Sequence, residues 1–390
     1  MEKLYKRLDE FYPDMIELRR YFHQHPELSF QEVHTPERIA RFLTNIGIEV
    51  KTEVGGRGVV GLIRGGKPGK TVALRADFDA LPIKDEKDVP YKSTVDGVMH
   101  ACGHDAHTST LLFVAKVLAE HKEELQGNVV LIHQFAEEIT PGGAISMIED
   151  GCLDGVDAIF GTHIWSTIPI GTVGYKAGPI MAAADRFELE VIGKGGHGAK
   201  PDTTIDPIAI GTSIVQQLQQ IISRRIDPLK PAVLTVASFH AGSAFNVIPS
   251  TANITGTVRT FDIDVQEAII TQMEKIIASA CENAGASYTF NYTKGYPAVI
   301  NHPEETALLV ESAKKVVGSE LTVEIPPSMG GEDFAYYLQK VPGTFFFTGA
   351  GNEEAGIIYP HHHSKFDIDE KAMLIASKVL LTATLDYLNQ

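Results

Sequence analysis

Eight consecutive residues, His100-Ala-Cys-Gly-His-Asp-Ala-His107, hold five side chains able to bind or orient a first-row divalent ion. Cys102 and His104, two apart on a loop or extended segment, can point toward one ion. The plainer alternative is a helix N-terminus, with Asp105 as its cap and Cys102 as a small buried residue. That alternative leaves the other polar groups needing separate burial partners. A second signal is the acid pair Glu137-Glu138, placed after the apolar run 129–132 and before Thr140-Pro-Gly-Gly. At the carboxyl end of a strand, adjacent side chains diverge, so one carboxylate can ligate metal while its neighbour accepts a proton from water. Gly161-Thr-His163 closes the apolar run 158–160, and His361-His-His363 lies in a loop near the C-terminus. Asp77, Asp79, the acid pair and His163 all fall at the ends of consecutive expected parallel strands, which share one edge of a sheet. Such N, S and O donors beside a spare acid suit a two-metal hydrolytic site.

The elements that must position these residues read as an α/β plan. Near-continuous apolar runs at 59–64, 71–76, 128–133 and 158–162 predict strands covered on both faces, and so a largely parallel sheet. Apolar residues at three- and four-residue steps predict helices over 35–44, 106–120, 142–149 and 372–388. From about 183 the pattern changes: 186–192 alternates polar and apolar residues with period two. A helix over 206–225, strands over 232–239 and 252–260, a helix over 265–284 and a strand near 288–292 follow. This order predicts an inserted α+β domain, 183–294, within a catalytic domain formed by 1–182 and 295–390. His197, in Gly193-Lys-Gly-Gly-His-Gly at the end of an alternating strand, is then a residue that a mobile module could carry to a substrate.

Composition excludes other classes. Among 390 residues, 44% are hydrophobic and 22% charged, a globular balance, and 34 Lys plus Arg against 50 Asp plus Glu give a net charge of −16. Such a surface repels phosphate backbones and anionic lipid, which disfavours nucleic-acid and membrane-surface roles. Apolar runs are too short to span a bilayer, the charged N-terminal helix signal lacks an export pattern, and three cysteines make no disulfide framework. A cytoplasmic protein is expected. No Gly-x-Ser-x-Gly elbow, phosphate loop or dinucleotide fingerprint stands at a strand-to-helix turn.

The ordered motifs HQHPELSFQE at 23–32, RADFDALPI at 75–83, DGVMHACGHDAHT at 96–108, AEE at 136–138, GTH at 161–163, GKGGHGAKPD at 193–202, NVIP at 246–249, GTVRTF at 256–261, GGEDF at 330–334 and HSKFDIDE from His363 cover nearly the whole chain. The chain resembles the dinuclear metal-dependent aminoacylase and carboxypeptidase superfamily, in its amidohydrolase branch of hippurate, indole-acetyl amino acid and N-acetyl-diaminopimelate hydrolases. The resemblance implies that Cys102, His104, Glu138, His163 and His362 hold two divalent ions, Mn or Zn with Co as a substitute, and that Glu137 is the general base. His362 is reached by counting back from Phe366, although Ser364 stands where the branch has Pro. Asp77 and Asp79 both fall in the segment that orients a ligand. His197 and Asn246 match residues that polarise the substrate carbonyl, His197 from the partner of a homodimer, and Arg259 matches a grip on the substrate carboxylate. The implied activity is cleavage of N-acyl amino acids. A dipeptidase or aminopeptidase on the same site, and a metal-loaded binding protein without turnover, are the alternatives.

Overall fold

A computed structural model describes residues 1–390. The chain divides into two compact units, Met1–Ile180 with Val299–Pro327 and Asp333–Gln390, and Met181–Ala298 with Ser328–Glu332. The last segment, five residues long, joins the second unit although no change of composition marks it.

The first unit is built on an eight-stranded sheet. Its order is Glu49–Val54, Gly58–Arg64, Gln126–Gln134, Lys67–Asp77, Ala158–Pro169, Gly343–Gly351, Val173–Tyr175 and Thr322–Glu324. The central strands Gln126–Gln134, Lys67–Asp77, Ala158–Pro169 and Gly343–Gly351 are mutually parallel. From Val72 to Asp77 every residue is buried, as strands covered on both faces require. Toward the first edge the sheet turns antiparallel, because Glu49–Val54, Gly58–Arg64 and Gln126–Gln134 pair head to tail. Helices Glu2–Gln24, His34–Asn45, His104–Glu120, Pro303–Val317 and Lys371–Leu388 belong to this unit. Helix His104–Glu120 is buried on all sides, with Leu111, Leu112, Phe113 and Leu118 at 2% exposure or less. A helix so enclosed is apolar around its circumference rather than along one stripe.

Two expectations are corrected here. His104 is the first residue of that helix rather than a loop residue, because Gly103 enters the left-handed region at φ +94° and lets the helix begin one residue later. His163 lies within its strand rather than at its end. The neighbour Lys67–Asp77 stops pairing at Gly161, but Gly343–Gly351 continues the ladder past His163 through Trp165.

The second unit is a four-stranded antiparallel sheet ordered Ala232–Ala241, Thr251–Thr260, Ala183–Ile192 and Ser287–Tyr296. Alternate residues Phe187, Leu189 and Val191 turn inward and meet Ile214, Leu218, Ile269 and Met273 of helices Pro207–Arg225 and Ile263–Ala284. Both helices carry strong sequence starts. The Asp206 carboxylate accepts from Ile208 N at 2.9 Å with Pro207 in the first turn, and Asp262 accepts from Asp264 N at 2.8 Å. No helix of the chain is long and apolar enough to cross a membrane.

Candidate metal centre

Three chain segments of the first unit converge beside the carboxyl ends of strands Lys67–Asp77 and Gln126–Gln134. The turn at Cys102-Gly103 delivers Cys102 and His104, the turn after Gln126–Gln134 delivers Glu137 and Glu138, and strand Ala158–Pro169 delivers His163. A fourth, the loop before the last helix, delivers His362. The donor atoms of Cys102, His104 and His163 lie within 4.8 Å of one another, as do those of Cys102, Glu138 and His362, and those of His104, Glu137 and Glu138. These groups overlap at Cys102, His104 and Glu138 and so form one patch. Cys102 Sγ is 3.5 Å from His163 Nε2, His362 Nε2 is 3.4 Å from Glu138 Oε2, and His104 Nε2 is 3.8 Å from Glu138 Oε1 and 3.9 Å from Glu137 Oε2.

The imidazoles of His104 and His163 are each aimed by the ring's other nitrogen, as in metal-binding histidines. His104 Nδ1 donates to Asp79 Oδ1 at 3.0 Å, which turns Nε2 toward the acid pair. His163 Nδ1 donates to the Ile164 carbonyl at 2.9 Å, which turns Nε2 toward Cys102. His104 Nε2 and Glu138 Oε1 are buried without a hydrogen-bond partner. Two orphaned atoms on one patch that can each offer a lone pair fit a shared cation, and a set of thiolate, imidazole and carboxylate donors suits first-row divalent ions.

The two aspartates that sequence left undivided have different work. Asp79 holds His104, and its Oδ2 accepts from Glu138 N at 3.0 Å and from Ser29 Oγ at 2.7 Å. Asp77 accepts from His107 Nδ1 at 2.7 Å and from the Arg75 guanidinium at 2.5 Å, and its Oδ2 is 3.8 Å from His104 Nε2. The histidine triplet also divides. His361 donates to the Ile164 carbonyl at 3.1 Å and packs on Trp165, and His363 stacks on Tyr359, so His362 is the member that reaches Glu138. His362 stands at φ +64° with half its side chain exposed.

Electrostatics divide the candidate ligands. Burial pulls the His104 pKa down, but the Asp77, Asp79 and Glu138 carboxylates outweigh it and raise it to about 10. Burial, with His107 and His361 adding to it, holds His163 well below the ordinary imidazole value. Burial and the carboxylates of Glu138, Glu137 and Asp77 push the Cys102 thiol well above its usual value. A divalent cation would reverse the balance at Cys102 and His104, because it favours the ionised thiol and the neutral imidazole.

The remaining predicted residues lie in the second unit. His197 and Asn246 are exposed and adjacent: Val247 pairs with His197, and Gly198 N donates to the Asn246 carbonyl at 2.8 Å. Arg259 is half-buried on strand Thr251–Thr260, donates to its own strand at Thr257 and Val258, and pairs with no carboxylate. Sequence reasoning missed the supports of the acid turn. Asp333 accepts from Gln134, Arg75 and Ala144 N, and Gly142, at φ +80°, must lack a Cβ because one would stand 2.3 Å from Asp333 Oδ2. The motif GGEDF contained the Asp333 signal without indicating its partners.

The model of peptidase family M20/M25/M40 matches residues 73–386. The N-acyl-L-amino acid amidohydrolase of Geobacillus stearothermophilus is 46% identical over 303 residues, 78% of this chain and 82% of that one. Thermostable carboxypeptidase 1 of Saccharolobus solfataricus is 44% identical over 381 residues, 97% and 96% of the two chains. Among solved structures, the YXEP protein of Bacillus subtilis, described as a dinuclear metal binding peptidase of the M20 family, superposes with a TM-score of 0.84 at 37% identity, covering 98% of this chain and 99% of its own.

Proposed function

The chain belongs to peptidase family M20/M25/M40, a family of amide-bond hydrolases, and from that premise we propose that it removes the acyl group from N-acyl amino acids. The observation that carries this reading is the acid pair. Glu138 lies within reach of His104 and His362, while Glu137, on the same turn, places a second carboxylate 3.9 Å from His104 Nε2. A site that only stored metal needs no such second acid.

We assign Cys102, His104, Glu138, His163 and His362 as ligands of two divalent ions, Mn or Zn. Bound there, the ions would supply Lewis acidity toward the acyl carbonyl and acidify a water. Glu137 takes the proton of the attacking water and delivers it to the leaving amine nitrogen, so one carboxylate serves as base and then as acid. Asp79 keeps His104 aimed throughout. His197 and Asn246 are assigned to the developing oxyanion and Arg259 to the substrate carboxylate, for which its lack of an ion-pair partner leaves it suited. We further assign a homodimer surface to helix Pro207–Arg225 and the edge strand Ala232–Ala241, and place the enzyme in the cytoplasm, where its three free cysteines stay reduced.

The similarity to a carboxypeptidase favours a second substrate class, short peptides. Release of free amino acid from N-acetyl, N-benzoyl and dipeptide substrates, by metal-stripped protein reloaded with Mn, Zn or Co, ranks the two. Turnover of acyl amino acids that is lost in Glu137→Gln supports the reading. Turnover of dipeptides alone would replace it with the peptidase.

A further inference from the structure

Ala136 stands immediately before the acid pair with a left-handed backbone, φ +52°. Residues with a Cβ rarely adopt that conformation, and alanine has no side-chain hydrogen bond to favour it. The turn that aims Glu137 and Glu138 must therefore be held by something else.

The segment 29–32 supports it at three points, two by direct contact and one through Asp79. The Glu32 side chain is fully buried, and its Oε1 accepts from Ala136 N at 2.9 Å. Phe30 meets Phe135 edge to face, with ring centroids 5.8 Å apart. Ser29 Oγ donates at 2.7 Å to Asp79 Oδ2, the same oxygen that accepts from Glu138 N. The segment is itself fixed: the Arg57 guanidinium donates to the Glu32 carbonyl, and Ala80 N donates to the Glu27 carbonyl at 2.9 Å. Phe30 is also left-handed, at φ +63°. Paired strain of this kind persists only where surrounding contacts over-determine it.

We propose that residues 29–32 form a clamp on the acid turn and that Glu32 is a positioning residue for Glu137, acting through the backbone of Ala136. The catalytic part of this proposal rests on the hydrolase reading above; the clamp itself does not. The clamp uses Glu32 as an acceptor rather than as a charge, since Oε2 makes no hydrogen bond and its nearest cation, Arg57 Nε, is 4.0 Å away. Glutamine preserves the acceptor and alanine removes it.

The test compares Glu32→Ala, Glu32→Gln and Glu32→Ala with Ala136→Gly in the full-length protein, by amide hydrogen exchange of the 134–141 segment without metal and by kcat, KM and metal content after reloading. In Glu32→Ala, exchange of that segment is expected to rise by about tenfold or more while helix His104–Glu120 is unchanged. In the same variant kcat, compared at equal metal loading, should fall on the order of 100-fold, the scale of an ångström-sized misplacement, with KM unaltered. Glu32→Gln should keep most of the activity. Glycine at 136, which adopts the left-handed region freely, should restore part of the loss.

Unchanged exchange in folded Glu32→Ala would overturn the clamp, as would Gln proving as damaging as Ala or a failure of glycine to restore activity. A loosened turn with unaltered kcat would overturn the positioning role. If Glu32→Ala does not fold, Phe30→Ala serves instead: it should loosen the same segment, and unchanged exchange there overturns the clamp. If the reloaded wild-type protein turns over no substrate, the hydrolase reading fails and the exchange measurement still decides the clamp.

Discussion

The candidate ligand patch of the first unit and the surface pair of the second are held in contrasting ways. Cys102, His104, Glu137 and His163 are almost completely buried, and both His104 and His163 are pinned by a partner at the nitrogen that faces away from the patch. His197 and Asn246 are exposed, and the hydrogen bonds around them are local: Ala199 N donates to His197 Nδ1, and Gly198 N to the Asn246 carbonyl. The first arrangement spends folding energy on fixed geometry, as an ion site needs. The second leaves its side chains exposed to water. Preorganisation should therefore show as strong coupling between metal binding and folding in the first unit, and as its absence in the second.

The largest effect expected is that of Glu137→Gln. It should lower kcat by roughly 100- to 10,000-fold, the range for loss of a general base, while metal content stays at the wild-type level. Next, His197→Ala should lower kcat by roughly 100- to 1,000-fold, as loss of one oxyanion donor does, and leave metal content and melting temperature unchanged. A fall in metal content in His197→Ala would erase the distinction between the two regions. Third is the pH dependence of metal affinity. The metal-free protein holds a proton on His104 up to a pH of about 10, and metal must displace it. Affinity therefore rises with pH below that value, by up to about tenfold per pH unit for each proton released. Calorimetry in buffers of differing ionisation enthalpy should detect release of about two protons, one from His104 and one from the Cys102 thiol. Asp79→Asn, which leaves His104 less firmly aimed, should weaken metal binding by about 10- to 100-fold in the same experiment. The smallest effect belongs to the second unit: Asp206→Ala removes a helix cap and should cost about 1 kcal/mol in denaturant unfolding, with metal affinity untouched.

What was legible in the sequence follows the range of the forces involved. Candidate ligands crowd into 100–107 and 137–138 because helix starts and strand ends place adjacent residues on one edge, so spacing marked them as candidates and the family resemblance supplied their roles. The second unit was equally open, since Phe187, Leu189 and Val191 alternate along a half-covered strand and Asp206-Pro207 starts its helix. His163 misled the strand boundary because a far neighbour, Gly343–Gly351, extends the ladder beyond the point where Lys67–Asp77 leaves it. The choice between Asp77 and Asp79, and among His361, His362 and His363, turns on which nitrogen or oxygen faces which partner, information that a period-two or 3.6-residue pattern does not carry. Glu32 was hidden for another reason. Its partner is the backbone N–H of Ala136, more than a hundred residues away, and a backbone donor leaves no trace in the identity of the residue that owns it.

The central claim is that five side chains hold two ions beside a working acid. Its most direct test is titration of metal-stripped protein with Mn or Zn, following bound metal and hydrolysis of an N-acyl amino acid together. Activity should saturate when two ions are bound per chain. Two bound ions with no turnover of any acyl amino acid, or full turnover with no ion bound, would contradict it.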